Sequence, residues 1–362
     1  MFRKFPKPVK RIVVKIGSSV IATYKMQPKA AQLCALVDEI ETLAQKGIEV
    51  VMVSSGAIVL GMGEMGQAAR PSDLAGLQAL AAIGQNVLMR TYTDLFGKSG
   101  IKCAQVLLTW EDFDDRTRYN NARHTLQAIL EQGVVPIINE NDTISTDEIK
   151  FGDNDKLSAL VAALVRADML IILSDVEGLY AYKDGKKEIF EEIREITGEI
   201  EGYASGTSKK QMSRGGMTAK LDAIKIATQA NIPCVIAHGE MPDVLTRVVS
   251  GERIGTHFVG KEDKSLARQH WISFGAKPKG SLTVDDGAKA ALLKGGRSLL
   301  LPGVVSWEGN FKADDVVVVS DKDGREIGRG ISNYSVSDLH KVSDKKDKKE
   351  VIHVDNLVLC AR

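Results

Sequence analysis

Cysteine, aromatic side chains and surplus charge of either sign are all scarce in this chain. Its four cysteines, Cys34, Cys103, Cys234 and Cys360, stand too far apart for the spacings of a zinc site or a disulfide scaffold. At least three of them fall within predicted helices or strands, so buried reduced thiols are the expectation. Aromatic residues make up 5% of the chain, which leaves few rings on which bases would stack. Lys and Arg number 48 against 47 Asp and Glu, a formal charge of +1, so no overall field points toward nucleic acid or an anionic membrane. Any anion site has to be local. Long apolar runs are missing too: in "MFRKFPKPVKRIVVKIG" Lys15 interrupts the first one, leaving neither a signal-peptide core nor a membrane span and pointing to the cytoplasm. The histidines share no metal-ligand separation, and no Ser-His-Asp order is present.

What is present is a chain of 362 residues, 44% hydrophobic, long enough for two or three cores. Six short β-rich runs, "RIVVKIG" from Arg11, "IEVVMVS" from Ile48, "IKCAQVLLT" from Ile101, "VVPIIN" from Val134, "DMLIILSD" from Asp168 and "IPCVIAH" from Ile232, are mostly separated by helical patterns. Their apolar residues are continuous rather than alternating, as in strands covered on both faces. The prediction is an α/β fold with an open, mainly parallel sheet sandwiched by helices, its ligand at the carboxyl ends of the strands. Near Trp271 the character changes to short strands and turn pairs such as Asp323-Gly324, with one short helix around residues 286–293. The expected organisation is a domain over 1–260, a linker over 261–277 and a small β-rich domain over 278–362.

Residues that follow the strands should line the site, and they are "KIGSS", "SSGA", "NEND" and "LSDVEGLY". Gly17 and Gly56 free backbone N–H groups to approach an anion, and a helix start behind Gly56 would add its dipole. Lys15 supplies a full charge; in an otherwise apolar strand it is unfavourable unless it reaches an anion at the strand end. Farther on, Gly215-Gly216 opens a helix with Lys220 one turn inside, the pattern of a phosphate cradle with a point charge. The stretch "IINENDTISTDEIKFGDNDKLSALVAAL" from Ile137 crowds acids and amides, Asn139, Glu140, Asp142, Asn154 and Asp155 among them, between two apolar runs. "GMGEMG" from Gly61 matches G-x-G-x-x-G, but it starts too far beyond its strand, and "IGQN" stands where a ribose-binding acid belongs, which excludes a dinucleotide loop.

Taken in order, "VVKIGSS", "VSSGAI", "PIINENDTISTDEIKFGDNDKLSALVA", "LSDVEGLY" and "GGMTAKLDAIKIA" resemble the amino acid kinase family, in its glutamate-phosphorylating branch, and the tail resembles a PUA domain. The resemblance implies transfer of the γ-phosphoryl group of ATP, with Mg²⁺, to the side-chain carboxylate of L-glutamate, the first step of proline biosynthesis. It also implies inhibition by L-proline and a homo-oligomer. Carried onto this chain, it makes Lys15, Lys220 and Asp155 catalytic, and Ser55, Gly56, Asp142 and Asn154 substrate-binding. Lys15, Gly17, Ser174, Asp175, Arg214, Gly215, Gly216, Met217, Thr218, Ala219 and Lys220 would hold the nucleotide. Asp142 and Asn154 suit the substrate's α-ammonium, and Asp155 suits holding the two lysines and the metal in register; the metal's own ligands are left open. Ser213-Arg214 departs from the Gly-Thr usual there, though arginine beside phosphate is chemically apt. Two alternatives stay open: another kinase of the same family, or an RNA-binding protein acting through the PUA-like domain. Residues 278–362 carry 14 Lys and Arg against 13 Asp and Glu, a difference of +1, less than an RNA-binding face usually shows.

Overall fold

The computed structural model describes residues 3, 5, 7–144, 154–183, 186–205, 216–260, 278–294, 296–341 and 350–359. The chain divides into two compact units, Met1–Asp112 with Arg116–Glu262, and Phe113–Asp115 with Asp263–Arg362.

The strands of the first unit are β1 (Arg11–Ile16), β2 (Glu49–Ser54), β3 (Cys103–Leu108), β4 (Val135–Glu140), β5 (Met169–Ser174), the hairpin β6 (Tyr180–Lys183) and β7 (Lys186–Ile189), β8 (Glu192–Ile193), β9 (Cys234–His238) and β10 (Thr256–Phe258). Its helices are α1 (Ser18–Ile21), α2 (Ala30–Gln45), α3 (Ala57–Glu64), α4 (Leu74–Lys98), α6 (Arg116–Glu131), α7 (Asn154–Leu164), α8 (Gly198–Ser205), α9 (Met217–Gln229) and α10 (Val244–Val249), while α5 (Glu111–Asp114) has two residues in each unit. An eight-stranded sheet runs β3-β4-β2-β1-β5-β9-β10-β8, parallel throughout except at β9–β10. The six apolar runs are its six long strands. The two added at one edge, β8 and β10, have two and three residues, too short to leave a periodic signal.

Central position explains the continuous hydrophobicity. β4 and β5 are buried at every residue, and β1 at every residue after Arg11. Ile12, Val14 and Ile16 share one core with Leu33, Leu36 and Ile40 of α2 and Val244 and Leu245 of α10. Each such side chain contributes about 1.5–3 kcal/mol. Glu39 of α2 is buried in that layer and accepts from the N–H groups of Leu245 and Thr246 at 2.7 and 3.1 Å, closing the start of α10. On the other face α7 packs across β1, β2, β4 and β5 and against α9.

The glycine pattern from Gly61 finds its role in α3. A Cβ on Gly61 would fall inside the radius of Leu80 O, and one on Gly84 inside that of Ala57 O. The backbones of α3 and α4 therefore touch with no side chain between them. This seats α4, capped by Asp73 Oδ1 accepting from Gly76 N at 2.7 Å, closely on α3, with β3 also in contact.

In the second unit a five-stranded sheet runs Val304–Gly309, Gly280–Val284, Val316–Ser320, Glu326–Ile331, Leu357–Leu359. The anticipated short helix is Asp286–Leu293, capped by Asp285. Leu282, Val284, Val317, Val319, Val351 and Ile352 form its core. Cys34, Cys103 and Cys234 are free thiols; Cys360 lies outside the described residues. Among the described residues no helix is long and apolar enough to cross a membrane.

Candidate active site

Lys15 sits in the fifth position of β1, opposite Val53 of β2 and Ile172 of β5. Its ammonium ends 2.5 Å from Asp155 Oδ1. Asp155 stands in the first turn of α7, and its Oδ2 lies 3.3 Å from Lys220 Nζ, which is carried by the first turns of α9. The three side chains are almost sealed from solvent, at 6%, 1% and 5% exposure for Lys15, Asp155 and Lys220. Two ammonium groups on one carboxylate leave one net positive charge. Burial works to raise the Asp155 pKa, but Lys15 and Lys220 together outweigh it and hold the carboxyl below its usual range. Burial also pulls the Lys220 pKa down, and Asp155 opposes it. Removing the central carboxylate would strand two buried cations, a change that costs about 3–5 kcal/mol in comparable sites.

Beside this triad lies a chain of amides. Asn154 Nδ2 donates to Asn139 Oδ1 at 2.9 Å, and is 3.1 Å from both Ser54 O and Ser55 Oγ. Asn139 Oδ1 also accepts from Glu140 N at 2.9 Å, while Asn139 Nδ2 donates to Gln85 Oε1 of α4 at 2.8 Å. Ser54 Oγ is 3.0 Å from the buried Tyr92 hydroxyl, two turns along the same helix. Asn154 Oδ1 is buried with no hydrogen-bond partner among the described residues. Next to these amides a cavity of about 390 Å³ is lined by α4, β3 and residues 140–143, within the ~300–1,000 Å³ usual for small-molecule sites. Asp142 lines it. Burial, with Glu140 adding to it and Arg70 opposing, pushes the Asp142 carboxyl up to about 7.

Other residues singled out in the sequence take these places. Gly17 precedes the four-residue α1, its N–H on Leu173 O at 3.0 Å. Gly56 has φ 96°, a left-handed turn where any side chain would be strained, and α3 begins directly after it. Ser174 is buried at the end of β5 with Oγ donating to Asp175 Oδ1 at 2.9 Å, and the exposed Asp175 acts on Lys220 through its charge. Gly216 is the residue before α9, in extended backbone; Met217 is buried, Thr218 exposed, Ala219 intermediate. Arg214, Gly215 and the acids from 147 to 153 lie outside the described residues. Sequence reasoning left Gln85 without a role. Its one signal was position: it directly follows a glycine inside a long helix.

A metal centre built by the protein does not fit what is described. No group of three or more His, Cys, Asp or Glu among the described residues is placed to hold an ion, and both Asp155 oxygens face lysines.

Residues 10–238 match the amino acid kinase family and residues 280–354 the PUA domain. Similar full-length proteins are the glutamate 5-kinases of Caldanaerobacter subterraneus subsp. tengcongensis, 44% identical over 97% of this chain and 98% of that one, and of Carboxydothermus hydrogenoformans, 44% identical over 99% of each. The glutamate 5-kinase of Dictyoglomus thermophilum is 45% identical over 98% of both chains. Among solved structures, carbamate kinase from Giardia lamblia bound to AMP-PNP aligns with 69% of this chain and 98% of its own, with a TM-score of 0.50 at 15% identity, a likeness of fold.

Proposed function

Since the chain belongs to the amino acid kinase family, with glutamate 5-kinases as its full-length relatives, we infer that it phosphorylates the side-chain carboxylate of L-glutamate with ATP, the first step of proline biosynthesis. The observation that carries the reading is the buried carboxylate of Asp155 with one lysine on each oxygen.

The chemistry asks for little beyond charge and alignment. Glutamate's side-chain carboxylate, with a pKa near ~4.3, is already ionised at neutral pH, so no general base is required. One of its oxygens forms a bond to the γ-phosphorus as the bond to the bridging oxygen of ADP breaks, giving glutamyl 5-phosphate and ADP. Negative charge spread over the phosphoryl oxygens is met by Lys15 and Lys220, which Asp155 keeps aimed without a change of protonation. The nucleotide lies along the ends of β1 and β5 and the start of α9, against Gly17, Ser174, Asp175 and residues 216–220. Magnesium, when bound, would supply further positive charge to the phosphates of ATP.

Asp142, which lines the cavity, and the buried Asn154 Oδ1 receive the substrate's α-ammonium, with Ser55 and Gly56 contributing to the same amino-acid site. A substrate with an acylated nitrogen would leave Asp142 without its counter-charge, an unfavourable change of about 1–3 kcal/mol, so the free amino acid is preferred over its N-acetyl form. L-Proline, also an α-amino acid, opposes glutamate through these contacts, by overlap or by linkage. The enzyme works in the cytoplasm as a homo-oligomer. ATP turnover with L-glutamate and hydroxylamine tests the reading, because hydroxylamine traps the acyl phosphate as a hydroxamate. Hydroxamate with glutamate but not with aspartate or N-acetylglutamate is the expected result; none with glutamate would overturn it.

A further inference from the structure

We propose that Gln85 is a positioning residue for amino-acid capture, fixing through Asn139 the orientation in which Asn154 offers its carbonyl oxygen to the substrate's ammonium. The inference rests on the kinase reading above and adds to it a residue that touches neither the phosphates nor the lysines.

The orientation of the amides is set from both ends by backbone groups whose polarity is fixed. The Ser54 carbonyl can only accept, so the Asn154 atom 3.1 Å from it is the nitrogen. The Glu140 N–H can only donate, so the Asn139 atom 2.9 Å from it is the oxygen. That oxygen also takes the second N–H of Asn154, and the Asn139 nitrogen is left pointing at Gln85. Asn139 is buried, at 2% exposure, and Gln85 Oε1 at 2.8 Å supplies the acceptor for this nitrogen. One atom of Asn154 then has no hydrogen-bond partner among the described residues: Oδ1, a buried acceptor of the kind a substrate ammonium would satisfy. The reach of Gln85 depends on its neighbour, since the bare backbone of Gly84 against Ala57 O lets α4 come that close to β4.

Without the Gln85 acceptor, the buried Asn139 N–H₂ is left unsatisfied, and Asn139 turns to find a partner. Asn154 then loses its 2.9 Å bond to Asn139 and is held by Ser54 O and Ser55 Oγ alone. The effect belongs to glutamate binding, because the ion pairs that aim Lys15 and Lys220 are made to Asp155 and not to the amides of the relay.

The test is steady-state kinetics of the full-length chain as Gln85→Met and Gln85→Glu, with thermal unfolding of each. Methionine keeps the length and removes the acceptor. Glutamate keeps an oxygen where Asn139 donates. Gln85→Met should raise the glutamate KM about five- to twentyfold, the effect of one hydrogen bond lost in a buried network, with kcat and the ATP KM within about threefold. Gln85→Glu should recover most of that loss. A glutamate KM unmoved in Gln85→Met overturns the proposal, as does a Gln85→Glu enzyme as impaired as Gln85→Met. Parallel losses in kcat, both KM values and Tm would reduce Gln85 to a packing residue and also overturn it. Absence of glutamate-dependent turnover in the unsubstituted enzyme is a separate result and refutes the kinase reading on which the proposal stands.

Discussion

Replacing Asp142 by asparagine should change glutamate capture by an amount that depends on pH, and the dependence is what identifies the residue. Its side chain lines the cavity beside the amide relay, and burial beside Glu140 raises its pKa to about 7. Only the ionised carboxylate pairs with an α-ammonium. From a pKa of about 7, roughly one-tenth of free enzyme is ionised at pH 6 and nine-tenths at pH 8, so the glutamate KM of the unsubstituted enzyme should fall about tenfold over that interval. The ammonium of glutamate stays protonated throughout and adds no slope. Asparagine keeps the volume and removes the charge, a loss of about 1.5–3 kcal/mol or roughly 10- to 150-fold at pH 8. At pH 6 most carboxylates in the parent are already neutral, so the ratio of variant to parent should shrink about tenfold. The assay is hydroxamate formation against glutamate concentration at both pH values, with ATP saturating. A ratio equal at pH 6 and pH 8 would refute the ionisation argument, and a raised ATP KM in Asp142→Asn would refute the placement of Asp142 at the amino-acid end.

Lys220→Ala should lower kcat by about 10²-fold or more with little change in glutamate KM, since the contact strengthens only as charge develops on the transferring group; an unchanged kcat places Lys220 outside the chemistry. Asp155→Asn should lower kcat and also destabilise the fold by about 3–5 kcal/mol, because Lys15 and Lys220 lose their shared counter-ion; urea unfolding measures it, and a variant as stable as the parent would show the lysines to be paired otherwise. Gly84→Ala should cost about 1–3 kcal/mol through overpacking of α3 on α4 and should raise the glutamate KM along with it; calorimetry and kinetics on one preparation check both, and an unaltered Tm would contradict the backbone contact.

The long strands were legible because a strand covered on both faces is apolar at most positions, and β1 beyond Arg11, β4 and β5 are buried throughout. Lys15 was legible for the same reason inverted: a cation within such a run has to meet an anion, and Asp155 is there. The acidic stretch announced a site but not how its members divide. Asn139 and Asn154 are 15 residues apart and Gln85 another 54 away, and no spacing rule links three amides that meet only after α4 has docked. The glycines from Gly61 show the limit well. Their sequence context excludes a dinucleotide loop, but the use of Gly61 and Gly63 depends on Leu80 and Met26, residues brought near by tertiary packing alone. β8 and β10 escaped notice because two or three residues carry no period.

The bare contact between α3 and α4 also limits how this enzyme can be re-engineered for other substrates. A binding site is commonly enlarged by letting a wall recede, and α4 is the wall of the cavity on one side. Here that wall already rests at its closest approach, backbone on backbone at Gly61 and Gly84. A bulkier residue at either glycine would move the whole helix, carrying Gln85 away from Asn139 and Tyr92 away from Ser54 together. Room for a longer or branched diacid is therefore reached by trimming side chains that project into the cavity, such as Met89, Gln105 and Thr143, with the scaffold left in place. A library confined to such positions should yield altered acceptor preference at preserved stability, whereas one that includes 61 and 84 should yield mostly unfolded chains.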